Sequence, residues 1–183
     1  MTERTVLDLK LDRSFRMLDT DGDGRIREQD LVSLARTLGT AFPGGAPAAV
    51  ARLERAFAVL WRTDLRPMDT DGDSAISREE WSTGVRRAVA RDRTGFLGRM
   101  STMLQAWLDL CDRDGDGRID RREFTMMYGR TLGLSARALA EAFTTLDIDG
   151  DGYLDRGEVY AAVEEYYTSE TRDTPGNWLF GPL

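Results

Sequence analysis

A twelve-residue acidic segment occurs four times in the chain, and this repeat limits the possible folds more than any other feature of the sequence. The copies span residues 19–30, 69–80, 112–123 and 147–158. Each copy has aspartate at its first, third and fifth positions, an aliphatic residue at its eighth position and a carboxylate at its twelfth. Alternate residues of a tightly wrapped loop can direct their side-chain oxygens to one point, where they surround a hard cation. The repeat therefore predicts four metal-binding loops.

Apolar residues beside the loops recur at helical spacing. Before the first loop, Leu7, Leu11, Phe15 and Leu18 lie on one predicted helix face. Each repeat is therefore predicted as a helix–loop–helix unit, which alone would leave its apolar face exposed. We expect an all-α fold in which four units pack in two pairs. The eighth-position residues are expected to join the loops of a pair through a short β-bridge, and they are Ile26, Ile76, Ile119 and Leu154.

These segments carry the pattern of the EF-hand calcium loop. Together with the chain length and the C-terminal segment PGNWLFG (residues 175–181), they make the chain resemble the sarcoplasmic calcium-binding proteins, in particular their bacterial relatives of the calerythrin type. The resemblance implies a compact globule of two EF-hand pairs with Ca²⁺ as the bound ion.

The loop spacing divides the chain into two predicted halves. We predict an N-terminal EF-hand pair over residues 1–93 and a C-terminal pair over residues 94–183, sharing a core in one monomer. An apolar tail over residues 175–183 belongs to the second half. In the first half, the prolines and glycines of residues 40–49 exclude one continuous helix. Pro47 is expected in the first turn of the next helix.

Each loop is predicted to hold its ion through side-chain carboxylates and the backbone carbonyl of its seventh residue. The predicted ligands of loop 1 are Asp19, Asp21, Asp23, Asp30 and the carbonyl of Arg25. Those of loop 2 are Asp69, Asp71, Asp73, Glu80 and the carbonyl of Ala75. Those of loop 3 are Asp112, Asp114, Asp116, Glu123 and the carbonyl of Arg118. Those of loop 4 are Asp147, Asp149, Asp151, Glu158 and the carbonyl of Tyr153.

The four sites are not expected to be equal. Loops 3 and 4 are complete, and their ninth-position residues, Asp120 and Asp155, can also cap the outgoing helices. These two sites are predicted to bind Ca²⁺ most strongly. Loop 2 is predicted to bind weakly, because Ser74 takes the place of a glycine, at a cost of roughly 1 kcal/mol in a left-handed backbone. In addition, Pro67 should end or kink the helix that enters loop 2.

Loop 1 departs from the pattern at two positions. Arg27 at the ninth position offers neither a capping oxygen nor a carboxylate that could hold a metal-bound water. Asp30 at the twelfth position is one methylene shorter than glutamate and reaches less far towards the ion. Because a monodentate carboxylate favours six oxygens over seven, site 1 is predicted to accept Ca²⁺ or Mg²⁺.

The composition excludes several classes of function. The chain has no histidine and a single cysteine, Cys111, interpreted as a buried thiol. These counts rule out Ser–His–Asp and Cys–His catalysis, an internal disulfide and a cysteine-based zinc cluster, and no enzymatic activity is expected. The net charge of −7 argues against nucleic acid or an anionic membrane as a main partner. The densest basic stretch, interpreted as a solvated helix face, comprises Arg86, Arg87, Arg91, Arg93 and Arg99.

The sequence shows no secretory signal, no apolar run of membrane-spanning length and no glycine at position 2 for myristoylation. A cytoplasmic location is therefore expected. Of the 25 basic residues only Lys10 is lysine, a bias that indicates a GC-rich coding sequence and favours a bacterial source.

Three functions are compatible with four calcium loops. The first is a calcium buffer or transporter, favoured because Trp178, Leu179 and Phe180 of the tail can plug the hydrophobic cleft of the protein itself. The second is a calcium-triggered regulator that releases the tail and binds an unidentified target protein. The third is a small-molecule binder of the luciferin-binding type. Its cavity would be lined by aromatic residues, which at their spacing are also typical of a core, namely Trp61, Trp81, Trp107 and Tyr128.

Overall fold

The computed structural model describes residues 4–41 and 47–183, and these residues form seven α-helices and four two-residue strands. The helices are α1 (Val6–Leu18), α2 (Glu28–Ala41), α3 (Pro47–Leu60), α4 (Arg78–Leu108), α5 (Arg121–Thr131), α6 (Ala136–Leu146) and α7 (Arg156–Thr168). The strands are β1 (Arg25–Ile26), β2 (Ile76–Ser77), β3 (Ile119–Asp120) and β4 (Tyr153–Leu154). Each strand lies in one acidic loop, so the predicted order of helices and loops is confirmed.

The loops pair in the order predicted from their spacing. Strand β1 is antiparallel to β2, with Ile26 opposite Ile76. Strand β3 is antiparallel to β4, with Ile119 opposite Leu154. All four residues are buried, so each β-bridge also determines which side of its two loops faces the core. The prediction of two paired units is confirmed.

One hydrophobic core extends across both pairs. It includes Phe15 of α1, Trp81 and Trp107 of α4, and Tyr166 of α7, each at most 2% exposed. This continuous core confirms the predicted compact all-α globule. Cys111 is buried within the core, as predicted, and burial raises the pKa of its thiol.

Helix α1 is joined to the C-terminal half by buried polar contacts. The Lys10 ammonium donates to the carbonyls of Glu165 (2.9 Å) and Ser169 (2.6 Å), where α7 ends. The Tyr166 hydroxyl donates to the carbonyl of Lys10 at 2.5 Å. The Glu165 carbonyl also accepts the Ser169 N–H at 2.9 Å, whereas the Ser169 carbonyl lies beyond the helix end, where α7 offers it no N–H, and Lys10 satisfies it from another element. The division between residues 93 and 94 falls inside α4, close to the non-helical backbone of Asp92 (φ −151°, ψ 72°), and stays a prediction.

The segment before loop 2 is not an ordinary α-helix. Helix α3 begins at Pro47, as predicted, and ends at Leu60. A π-helical turn over Trp61–Leu65 and a 3₁₀ turn over Arg66–Met68 follow it. Pro67 lacks the N–H that an α-helix would need at this place, so its predicted effect on the incoming helix is confirmed. The break predicted within residues 40–49 falls largely on residues 42–46, outside the described residues.

Arg99 departs from the solvated face predicted for the basic stretch of α4. Its guanidinium donates to both oxygens of Asp64, at 2.6 and 2.8 Å, and the Asp64 side chain is buried. The pair joins the π-helical turn to α4 in a bidentate arrangement, which is the stronger form of an arginine–carboxylate contact.

The C-terminal tail is docked, as predicted. Leu179 and Phe180 are 2% and 3% exposed, and Trp178 packs partly buried against the core. The Tyr128 hydroxyl of α5 donates to the Leu179 carbonyl at 2.5 Å, and Arg13 of α1 donates to the Phe180 carbonyl at 3.1 Å. The tail thus contacts helices of both halves.

None of the helices in the described part of the chain combines the length and the apolar character needed to cross a membrane.

Candidate metal centres

The three aspartates of each loop accept backbone N–H groups of the same loop. In loop 1, Asp19 Oδ2 accepts from Gly24 N (3.0 Å), Asp21 Oδ1 from Asp23 N (3.1 Å) and Asp23 Oδ1 from Arg25 N (2.9 Å). Loops 2, 3 and 4 repeat these bonds at the same positions. In loops 2 and 3 the other oxygen of the first aspartate, Asp69 or Asp112, also accepts a backbone N–H, from Gly72 (2.8 Å) or Gly115 (2.7 Å).

The remaining carboxylate oxygens converge. In each loop, oxygens of three acidic residues lie within 4.8 Å of one another. The groups are Asp19, Asp21 and Asp30 in loop 1, Asp69, Asp71 and Asp73 in loop 2, Asp112, Asp114 and Glu123 in loop 3, and Asp147, Asp149 and Glu158 in loop 4. Several carboxylates at such short separation repel one another unless a cation lies between them.

Two carboxylate oxygens show that loops 1 and 4 fit a cation. Asp19 Oδ1 and Asp147 Oδ1 are buried and find no hydrogen-bond partner among the described residues. A buried carboxylate oxygen without a partner is costly, and a metal ion would satisfy it. The donors are all oxygens, which suits the hard ions Ca²⁺ and Mg²⁺.

The twelfth-position carboxylate closes each loop by accepting two backbone N–H groups. Glu123 Oε1 accepts from the second-position residue, Arg113 (2.7 Å), and Oε2 accepts from the ninth-position residue, Asp120 (3.1 Å). Glu80 and Glu158 make the same two contacts in loops 2 and 4. Burial opposes the charge of Glu80, but hydrogen bonds from Ser77 and Thr70 outweigh it and lower the pKa of Glu80 to about 2. In loop 3, burial dominates and raises the pKa of Glu123.

Asp30 reaches the equivalent place in loop 1 although it is shorter. Its Oδ1 accepts from Thr20 N (3.2 Å) and its Oδ2 from Arg27 N (2.8 Å), the second- and ninth-position amides. The Thr20 hydroxyl also donates to Oδ1 at 2.8 Å. Asp30 is 4% exposed, so its carboxylate points inward. The number of oxygens that it would give to an ion stays a prediction.

The ninth-position residues differ between loop 1 and the other loops. Ser77, Asp120 and Asp155 form capping boxes with the twelfth-position glutamates, which confirms the predicted helix starts. Arg27 instead forms an ion pair with Asp23 of its own loop. A hydrogen bond from Arg27 lowers the pKa of Asp23.

Ser74 adopts the backbone predicted for it. Its φ of 66° is the only positive φ of a non-glycine residue in the described part of the chain. The glycines at the equivalent position of the other loops have φ values of 83°, 81° and 88°, and they are Gly24, Gly117 and Gly152. Loop 2 is therefore wrapped like the others and carries the strain of a Cβ in this region.

Two of the seventh-position residues make contacts that sequence reasoning missed. Arg25 forms an ion pair with Asp73 of loop 2. Arg118 lies 3.7 Å from Asp116 of its own loop and 3.5 Å from Asp151 of loop 4. The backbone carbonyls of the seventh residues stay predicted ligands, and these side-chain ion pairs are additional to them. In the sequence, only the predicted β-bridge between paired loops indicated that side chains of the two loops could meet.

Two sequence families match parts of the chain. The family described as an EF-hand domain pair matches residues 115–166, and the family described as EF hand matches residues 11–34. The first match covers most of loop 3 and all of loop 4, and the second covers loop 1.

Two relatives are similar to this chain over most of their length. Calerythrin of Saccharopolyspora erythraea is 26% identical over 160 residues, which are 86% of this chain and 90% of calerythrin. The probable calcium-binding protein CML16 of Oryza sativa subsp. japonica is 30% identical over 146 residues, which are 79% of this chain and 72% of CML16.

Solved structures show the same architecture. A calcium-binding protein of Streptomyces coelicolor, described in connection with prokaryotic calcium-mediated regulation, superposes with a TM-score of 0.74 at 28% identity, over 88% of this chain and 98% of that protein. A sarcoplasmic calcium-binding protein of amphioxus superposes with a TM-score of 0.75 at 20% identity over the full length of both chains, a likeness of fold.

Proposed function

Since the chain belongs to the EF-hand family of calcium-binding proteins, we propose that it acts mainly as a cytoplasmic calcium buffer or transporter whose first site also accepts Mg²⁺. In this role it binds ions and catalyses no reaction. The proposed ligands are the carboxylates at positions 1, 3, 5 and 12 of each loop and the carbonyl at position 7. Sites 3 and 4 are proposed as the strongest and site 2 as the weakest.

The observation that carries the buffer role is the docked tail. A calcium sensor must expose an apolar groove for its target when the ion binds. Here Leu179 and Phe180 already lie in the core, and the Phe180 ring packs edge-on against Tyr166 at 4.9 Å between ring centres. Close packing of the tail against α7 is also required at Gly176, where an added Cβ would lie 2.5 Å from the Cβ of Glu165. A groove filled in this way favours ion storage over target binding.

The second candidate is a calcium-triggered regulator. It is favoured by the similarity to the Streptomyces coelicolor protein, whose structure is described in terms of calcium-mediated regulation. In this role calcium would release the tail from the cleft, and a helix of a target protein would replace it.

Binding of a hydrophobic dye separates the two candidates. For a buffer, the calcium-loaded full-length protein should bind no more dye than the metal-free protein, because the tail stays in place. Truncation after Thr174 serves as the positive control and should raise dye binding in the calcium form. Strong calcium-dependent dye binding by the full-length chain would favour the regulator.

Calorimetric calcium titrations, with and without millimolar Mg²⁺, test the ion specificity. We expect Mg²⁺ to reduce the apparent affinity of one class of sites, assigned to loop 1 by the Asp30→Glu variant, and to leave the two strongest sites almost unchanged. If Mg²⁺ weakened all sites equally, the proposed Mg²⁺ tolerance of site 1 would be wrong.

A further inference from the structure

The fifth-position aspartates share a contact that the ligand pattern does not require. Each accepts the seventh-position backbone N–H with Oδ1, at 2.8–2.9 Å in the four loops. The other oxygen, Oδ2, faces an arginine in every loop. The pairs are Asp23 with Arg27, Asp73 with Arg25, and both Asp116 and Asp151 with Arg118.

These arginines pair with carboxylates that an ion would also use. Accepting one backbone N–H leaves a second lone pair on Oδ1, so either oxygen of each fifth-position aspartate can bind an ion, but the two oxygens share one negative charge. A guanidinium and a divalent cation compete for that charge. We propose that Arg25, Arg27 and Arg118 are internal counter-ions that compete with Ca²⁺ for the fifth-position aspartates and thereby lower the calcium affinity of the loops.

Two of the three arginines act across a loop pair. Arg25 belongs to loop 1 and contacts Asp73 of loop 2. Arg118 belongs to loop 3, contacts Asp151 of loop 4 and stacks over the Tyr153 ring at 4.0 Å. The antiparallel strands that bridge the loops bring these residues together. Calcium entering loop 2 or loop 4 therefore competes with a cation that the other loop of the pair supplies.

The opposite role is a supporting one, in which the arginines hold the aspartates in place for the ion. The sign of the effect separates the two roles. Removing a competitor raises calcium affinity and destabilises the metal-free protein, because its carboxylates lose a counter-ion. Removing a support lowers calcium affinity. The side chains of these pairs are 34–45% exposed, so we expect an effect of about two- to five-fold per arginine, as for an exposed ion pair.

Arg118→Gln is the primary test, with Arg122→Gln as the matched control. Arg122 is exposed at the eleventh position of loop 3, so both variants remove one positive charge from the same loop. Calorimetric titration in low salt should show calcium affinity raised about two- to five-fold in the C-terminal pair of Arg118→Gln, and much less in Arg122→Gln. In excess chelator, the midpoint of thermal unfolding should fall for Arg118→Gln only.

Unchanged or lower calcium affinity in Arg118→Gln would overturn the proposal, as would an equal rise in Arg122→Gln, which would indicate a general effect of charge. Arg25→Gln repeats the test in the N-terminal pair and covers the case in which Arg118→Gln fails to fold. The inference rests on calcium binding by the loops and not on the buffer role, since dye binding to the same variants reports on the tail independently.

Discussion

The two EF-hand pairs share their loop wrapping but differ in how the loops join the helices. In the C-terminal pair, aspartate at the ninth position caps each outgoing helix and glutamate closes each loop. In the N-terminal pair, Arg27 turns back to Asp23, Asp30 replaces glutamate, and loop 2 is entered through π and 3₁₀ turns. The same backbone loop thus tolerates a different closing carboxylate in loop 1 and different entering turns before loop 2.

Loop 2 shows which features can change within one pair. Loop 2 keeps all its carboxylates, so its departure lies in the incoming turns and in Ser74. Within one pair, therefore, the ligand residues can stay the same while the geometry of the helix that enters the loop changes.

The largest effect is expected from removing the twelfth-position charges of one pair. Glu123→Gln with Glu158→Gln should abolish most of the calcium-dependent stabilisation, while Asp30→Asn with Glu80→Gln should remove a smaller part. A site that binds only the folded state stabilises it by about 4 kcal/mol at a thousandfold excess over Kd, so the stronger pair contributes more. Urea unfolding of both double variants, in calcium and in excess chelator, measures how much calcium-dependent stabilisation each one loses.

Glu141→Gln is the control for this comparison, because Glu141 pairs with Arg137 on the surface of α6, away from the loops. Equal losses in the two double variants would contradict the ranking of the pairs. No loss in either double would contradict calcium-linked folding altogether.

The next effect tests whether the two pairs unfold together. Lys10→Met removes the buried ammonium that bonds the carbonyls of Glu165 and Ser169. The Glu165 carbonyl keeps the Ser169 N–H, so one carbonyl is left unpaired, at a cost of about 1–3 kcal/mol. We therefore expect a loss of about 1–3 kcal/mol, together with separate unfolding of the halves in calorimetry. A single unfolding transition of unchanged midpoint would show that this contact does not join them.

The pH dependence of Lys10 provides an independent check. Burial lowers its pKa to about 8, against the opposing charges of Glu170 and Glu165, while in the unfolded chain lysine titrates near 10.4. Between these values the unfolded state binds more protons, so this residue makes stability rise with pH from about 8 to about 10. Lys10→Met should lack that part of the rise when unfolding free energies are compared across this range.

Much of the site could be predicted from sequence, because a twelve-residue pattern fixes local geometry. The positive φ of Ser74, the helix caps at Asp120 and Asp155, and the effect of Pro67 follow from rules that involve neighbouring residues only. The pairing of Ile26 with Ile76 could also be predicted, because a single helix–loop–helix unit cannot bury its apolar face and must pack against a second one.

Contacts between distant residues could not be predicted in this way. The ion pairs Asp64–Arg99 and Arg25–Asp73 join residues 35 and 48 positions apart, and single-sequence patterns do not encode such distances. The π-helical turn over Trp61–Leu65 was also missed, since its side chains suit an ordinary helix. Arg99 was predicted to be solvated because the sequence did not show that the buried carboxylate of Asp64, in this turn, lies opposite it.

Asp30→Glu sharpens the contrast at the closing carboxylate. The longer side chain can add a second oxygen to the ion, which Ca²⁺ accepts and octahedral Mg²⁺ does not. We expect calcium affinity at site 1 to rise on the order of tenfold, about 1.4 kcal/mol, with Mg²⁺ affinity almost unchanged. Calcium and magnesium titrations of the variant measure both affinities.

The reverse change, Glu80→Asp, is the matched control and should weaken calcium binding at site 2. Asp30 already bonds the same two amides as the glutamates. If Asp30→Glu left the calcium affinity of site 1 unchanged, the shorter side chain would be as good a ligand in this loop, and the proposed Mg²⁺ preference would be wrong.

The smallest effect is expected at Ser74, and it separates strain in folding from weakness in binding. Ser74 has a φ of 66°, and relief of a left-handed Cβ is worth roughly 1 kcal/mol. The greater freedom of glycine in the unfolded chain offsets about 0.4–1 kcal/mol of that gain. Because the loop is already wrapped in this structure, the strain belongs to folding, and the weak binding proposed for site 2 then rests on the turns that enter the loop and not on Ser74. Ser74→Gly should therefore change the free energy of unfolding by less than about 1 kcal/mol and leave the calcium affinity of site 2 within about twofold. Gly117→Ser, the reverse change in loop 3, should destabilise the protein by a similarly small amount, less than about 1 kcal/mol. A rise in site 2 affinity well beyond twofold in Ser74→Gly would show instead that serine opposes a rearrangement of the loop when the ion binds.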